Sequence, residues 1–192
     1  MGASTMEFLR PLPFVLLLGS VALAQSPTYG VGRTPTPEEI RAWDISISRT
    51  GTELPPGRGT ATEGALVYRQ KGCVGCHGAT LKEGPAPTLV KADKGPGVNP
   101  WELGRVLPFR SPYATTVWDF INRGMPLNRE GTLTADEVYA LTAFLLFKNG
   151  VIPENQVLDA ESLPKVKMPM RDAFAPIPEW KPRTPRLQGY PY

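Results

Sequence analysis

The 192-residue chain has very little with which to hold a bare metal ion: two cysteines and a single histidine. A structural zinc site takes four Cys or His ligands, and this sequence supplies three in all. It has no nucleophile elbow, no phosphate-cradling glycine loop and no paired carboxylates, so nothing points to catalysis by its own side chains. It has no run of basic residues, and its formal charge is only +3, which leaves no footprint for nucleic acid. Internal repeats are absent. Long apolar runs are also absent. The most apolar stretch, residues 12–23, is broken by Pro13, Gly19 and Ser20 and is too short for a comfortable membrane span.

The scarce residues are concentrated in one place. Cys73-Val74-Gly75-Cys76-His77 contains both cysteines and the only histidine, and C-x-x-C-H is the attachment signature of a c-type haem. The two thiols are expected to add across the porphyrin vinyl groups as thioethers, and His77 to reach the iron as an axial ligand. A thioredoxin-like redox pair would need a βαβ context, which is not visible here. A Cys73–Cys76 disulfide would give no reason for the adjacent histidine.

The start of the chain reads as a targeting segment, with Arg10 as its basic part, the apolar run after it, and Ala22-Leu23-Ala24 as a cleavage site. Residues 1–24 are therefore expected to be a secretory signal peptide. The alternatives are an uncleaved anchor and a start at Met6. Roughly 168 residues would remain, one domain by length. Two ionised haem propionates would bring the charge of that mature chain towards about +1. The expected compartment is periplasmic or otherwise extracytoplasmic, with no membrane span in the mature chain. The 22 prolines cluster towards the two ends, which predicts extended arms over residues 25–59 and 151–192 flanking a compact centre at 60–150.

Thr36-Pro37-Glu38-Glu39 predicts a short helix, and Ile45 and Ile47 alternating with serines predict a short strand or an extended segment. Thr60-Ala61-Thr62-Glu63 is a capping box opening a helix to about Lys71, in which Gly64 would allow another helix to cross closely. Residues 78–110 are rich in glycine and proline and predict a long loop, which a prosthetic group would justify. Ser111-Pro112 predicts a helix start, and Gly124 its C-terminal glycine. Thr134 to Glu137 is a second capping box, for a helix running to Lys148 and closed by Asn149-Gly150.

Met125 lies between the last two helices, pinned by Gly124 and Pro126. Its thioether is the candidate second axial ligand, and His/Met ligation favours electron transfer over oxygen chemistry. The alternative is a gap-filling core methionine. Met168 and Met170, flanking Pro169, are expected to be packing or contact residues. Trp101, Arg105, Arg110, Tyr113 and Trp118 are open candidates for a propionate contact or for covering a haem face.

The order helix, C-x-x-C-H, long loop, helix, Met-Pro, capped helix resembles the class I cytochromes c. A closer resemblance, over about residues 40–175, is to the cytochrome subunits of bacterial sulfite dehydrogenases and of the related sulfur-oxidation dehydrogenase. It rests on Leu54-Pro-Pro-Gly-Arg-Gly-Thr60, on Ser111-Pro-Tyr-Ala-Thr-Thr116 with Gly124-Met-Pro126, and on the run from Leu133 to Leu146. It continues in Asn149-Gly-Val-Ile-Pro153, Val157-Leu-Asp-Ala-Glu161, Leu163-Pro164 and Met168-Pro-Met-Arg-Asp172. The resemblance implies an all-α class I cytochrome c fold around one covalent haem c, with the proline-rich arms outside it. It implies thioethers at Cys73 and Cys76, axial ligands at His77 and Met125, and no catalytic residue. It implies a molybdenum-cofactor dehydrogenase subunit as electron donor and a downstream cytochrome or oxidase as acceptor. This chain would bind no molybdenum. The sulfur-oxidation subunits are often longer, with a second haem domain; a single motif fits the shorter sulfite dehydrogenase type better. The alternative is a free electron shuttle serving a terminal oxidase, which would have no need of arms.

Overall fold

A computed structural model describes residues 31–174 apart from Pro96. The expected signal peptide and the last part of the C-terminal arm lie outside the described residues. The chain divides into two units, residues 1–36 and residues 37–192. Of the first, the described residues 31–36 are exposed.

The second unit begins with α1 (Pro37–Trp43), which buries none of its side chains. The segment after it forms no strand. It runs along the core, with the Ile47 amide donating to Asp119 Oδ1 at 2.9 Å. The helix α2 (Ala61–Gln70) follows a two-residue strand, β1 (Arg58–Gly59). Its capping box forms as the sequence predicts, Thr60 Oγ1 accepting from the Glu63 amide while Glu63 returns a bond to the Thr60 amide. The long helix α6 (Ala135–Lys148) is opened in the same way by Thr134 and Glu137. Satisfying these first-turn donors locally lets each helix start without help from the core.

The central packing is α2 against α6. Gly64 makes it possible, since a Cβ there would sit 1.9 Å from Ala140 O and 2.7 Å from Phe144 Cβ. Tyr68 and Phe144 meet beside this crossing with ring centroids 5.5 Å apart. The core then extends to α5 (Ala114–Gly124), through Val117, Trp118 and Ile121 packing with Val138, Tyr139 and Leu145.

Two predicted boundaries move. Ser111 caps the C-terminus of a short helix not expected in the loop, α4 (Leu107–Arg110), so α5 starts after Tyr113. Gly124 is the last residue of α5 rather than a left-handed cap, and Met125 follows it in extended conformation. A 3₁₀ turn at Pro100–Glu102 adds further order to the predicted loop.

The segment after α6 is no free arm. Its strand β2 (Leu158–Asp159) pairs antiparallel with β1, Gly59 opposite Leu158. Ile152, Leu158, Leu163, Val166 and Met168 are buried in the main core, and Met170 in a second cluster with Leu103, Val106 and Phe109. Proline richness suggested an extended arm; the described segment is instead a series of turns with one two-residue strand, and what the sequence hid is that six of its apolar side chains are buried. Among the described residues, no helix is long and apolar enough to cross a membrane.

Candidate metal centre

The C-x-x-C-H stretch is itself a helix, α3 (Cys73–His77), set off from α2 by Gly72 in left-handed conformation. One turn of helix places Cys73 and Cys76, three residues apart, on the same face. Both thiols are free. Cys73 is partly buried, and burial pushes its thiol above the ordinary range, unlike the lowered pKa of a disulfide-exchanging cysteine. The trio does not converge as a chelate, since no group of three or more His, Cys, Asp or Glu side chains among the described residues could hold an ion.

The loop after α3 folds back beneath it. Ala86 donates to Cys76 O at 2.9 Å, and a Cβ on Gly84 would stand 1.9 Å from that same carbonyl oxygen, so only glycine fits. The Leu89 amide and the Thr88 hydroxyl both bond Leu81 O, closing the loop on the buried Leu81. Tyr68 of α2 donates to Gly78 O at 2.8 Å; burial pushes its hydroxyl up to about 12, which keeps it a donor.

These folds hold His77. Its Nδ1 lies 2.9 Å from Pro87 O. A carbonyl oxygen only accepts, so Nδ1 carries a proton; in the neutral ring this leaves the lone pair on Nε2, the tautomer in which imidazole ligates a metal through that nitrogen. At the other end of the loop, Asn149 accepts from the Lys91 amide and donates to Leu89 O and Leu145 O, tying residues 89–91 to the end of α6.

Met125, half buried, packs on the main core cluster, as do Cys73, Val74, Leu89 and Val90. The structure thus brings Met125 and the cysteine motif to one apolar body. Of the candidates for a propionate contact, Trp118 is buried, Tyr113 lies under Arg171, Arg110 stacks on Trp101, and Arg105 is exposed. Four buried side-chain polar atoms among the described residues have no hydrogen-bond partner: Arg110 Nε, Ser111 Oγ, Thr115 Oγ1 and Trp118 Nε1. All lie within residues 110–118. Buried polar groups are ordinarily satisfied, and a haem brings carboxylates that would satisfy these. The residues present therefore fit a c-type haem: two free thiols on one helical face, an imidazole in the ligating tautomer, and partnerless polar atoms in the protein interior.

A family model described as cytochrome c oxidase, cbb3-type, subunit III, matches residues 59–145. Comparison with curated protein sequences returns no significant match. Among solved structures, a chain of the sulfane dehydrogenase SoxCD from Paracoccus pantotrophus is 34% identical, with a TM-score of 0.65 over 79% of this chain and 73% of that one. The chain belongs to the class I cytochromes c.

Membership implies a haem c and an electron-transfer role for this cytochrome. The sequence had pointed to Cys73, Cys76, His77 and Met125. It did not reveal Pro87, Gly84 or Asn149, which hold the motif and its loop in place. Pro87 acts through its backbone carbonyl and leaves no signature. Gly84 was visible only as a break in the chain, and Asn149 only as a helix end.

Proposed function

We propose that this cytochrome carries one haem c, bound through Cys73 and Cys76 with His77 and Met125 as axial ligands, and accepts electrons one at a time from a molybdenum-cofactor sulfite or sulfur dehydrogenase subunit. A downstream cytochrome or oxidase then takes them to the respiratory chain. The proposed organisation is a signal peptide over 1–24, an N-terminal arm to residue 59, a cytochrome domain at 60–150 and a C-terminal segment beyond it, in a periplasmic setting.

The observation that carries the partner is the extent of the likeness to the sulfane dehydrogenase chain, 79% of this sequence. A haem motif and three helices would account for much less. The tail packed over β1 and α5 is part of what has to be explained, and a shared complex explains it.

When bound, the haem iron supplies a one-electron couple. The protein supplies the rest. Cys73 and Cys76 would hold the group through thioethers, the sulfur of each thiol going to one vinyl carbon and its proton to the other, so attachment would need no oxidant. Pro87 fixes the imidazole tautomer and orientation at His77. Met125, between the end of α5 and Pro126, offers a thioether from a short connection, which favours the reduced state and closes the site to small ligands.

The test is purification of the native protein from its source, followed by addition of sulfite and other sulfur oxyanions. Co-elution with a molybdenum protein, and reduction of the haem by one of these substrates only in that complex, is the expected result. A chain that elutes alone and is reduced instead by a membrane cytochrome complex would make it a free shuttle.

A further inference from the structure

The C-terminal segment reaches back to Trp101 and Tyr113, on either side of Arg110 in the sequence. Met168 and Met170 are buried at 1% and 0% exposure, in the main and second core clusters respectively. Between and beyond them, Arg171 stacks over Tyr113 at 4.8 Å and Phe174 meets Trp101 edge-on with centroids 5.3 Å apart. Trp101 in turn carries Arg110: the guanidinium lies 4.5 Å from the ring centroid, and its Nη2 donates to Trp101 O at 2.8 Å. A continuous stack therefore runs Phe174, Trp101, Arg110.

The last member of that stack has a buried Nε with no acceptor. Ser111, Thr115 and Trp118, all at least nine-tenths buried, add three more partnerless polar atoms within eight residues of it. A guanidinium held at this spot with unused donor capacity asks for an anion. The carboxylates of the haem are the anions that the proposed function supplies.

We propose that residues 168–174 form a strap that positions Arg110, through Trp101, against the carboxylate edge of the haem, so that the tail sets the reduction potential. The inference rests on the haem reading above. Met170 anchors the strap in the core, Arg171 fixes it on Tyr113, and Phe174 holds the indole on which the guanidinium lies. A cation beside the haem offsets the negative charge that otherwise favours the ferric state, so the held Arg110 raises the potential. Phe174 is a positioning residue: it acts only through Trp101 and Arg110.

The experiment is a spectroelectrochemical titration of the full-length holoprotein and of Arg110→Ala, Phe174→Ala, Phe174→Tyr and the double alanine variant. Arg110→Ala is expected to lower the potential by up to about 59 mV, a tenfold change in a one-electron equilibrium. Phe174→Ala should lower it by less, Phe174→Tyr should restore it, and the double variant should fall no further than Arg110→Ala. Phe174 is 48% exposed, so its removal leaves the core intact, and equal helix content will verify that. A wild-type potential in Phe174→Ala or Arg110→Ala, or additive shifts in the double variant, would overturn the strap. A wild-type chain that matures without thioether-bound haem would overturn the haem reading instead.

Discussion

Gly64→Ala gives the sharpest test of how α2 and α6 meet. On its own helix the change is favourable, because alanine is better than glycine in a helix interior by about 1 kcal/mol. Against α6 it is not. The new methyl would lie 1.9 Å from Ala140 O, 2.5 Å from Ala140 C and 2.7 Å from Phe144 Cβ. Two of the three are backbone atoms, which no rotamer change can move. The helices would have to part by on the order of 1 Å, loosening the Tyr68–Phe144 contact. Overpacking of a well-filled core costs about 1–3 kcal/mol, and the rigidity of these neighbours puts this site at the upper end. The net loss is then about 2 kcal/mol, or about 4–8 °C in melting temperature for a chain of this size. Gly124→Ala is the control. It also replaces a helical glycine, but its Cβ would meet only the Phe120 ring, at 3.9 Å. Urea and thermal unfolding of the haem-loaded proteins, followed by far-UV circular dichroism, should show Gly64→Ala destabilised and Gly124→Ala unchanged or slightly more stable. If Gly64→Ala is as stable as the wild type, the close crossing is not what joins these helices.

Met125→Ala should keep its haem but bind carbon monoxide when reduced, with a lowered potential, as read by absorption spectroscopy and redox titration. Met168→Ala and Met170→Ala, whose side chains are buried in apolar clusters, should instead lose about 2–5 kcal/mol of stability with an unchanged spectrum; carbon monoxide binding in either would move the ligand to the tail. Cys73→Ala with Cys76→Ala should abolish covalent haem and lower helix content on circular dichroism, because α3 and the glycine- and proline-rich loop after it would lose the group on which they are proposed to pack. Asp159 is held below the usual carboxylate range by the Ser162 amide, the Ser162 hydroxyl and the Glu161 amide. Its contribution is present above about pH 3.9 and is lost as pH falls through the lower folded value, so the stability gap between wild type and Asp159→Asn should narrow on acidification in urea titrations.

Local signals were legible in the sequence and long-range ones were not. Thr60 and Thr134 each announce a helix within four residues, and both capping boxes form. Gly64 and the Asn149-Gly150 stop were equally readable, because steric permission and chain termination belong to single residues. The start of α5 was misplaced because Ser111-Pro112 has the chemistry of a helix start; here the serine instead closes α4, whose four residues are too few to show a period. The tail was harder still. Leu158 opposite Gly59, and Met170 beside Phe109, join residues about 100 and 61 positions apart, and no local pattern encodes such a meeting. The four motif residues came from chemistry that demands particular side chains. Pro87 contributes only a carbonyl, which every residue has.

The buried tail changes what a partner can touch. Met168 and Met170 cannot serve as contact residues while the chain is folded, so any docking on residues 151–174 must use side chains that stay outside, such as Val157 at 43% and Phe174 at 48% exposure. Phe174 is also the outer member of the stack that ends at Arg110. On the strap reading, a partner that presses Phe174 onto Trp101 keeps Arg110 in place and the potential high, which suits accepting electrons. A partner that lifts Phe174 away lowers the potential and makes the site a stronger reductant, which suits passing them on. The potential measured in a complex with the donor subunit, against that of the free cytochrome, separates the two. A donor complex with the potential of the free cytochrome would mean that the donor docks elsewhere than on Phe174, and would leave the tail as a surface for the downstream acceptor.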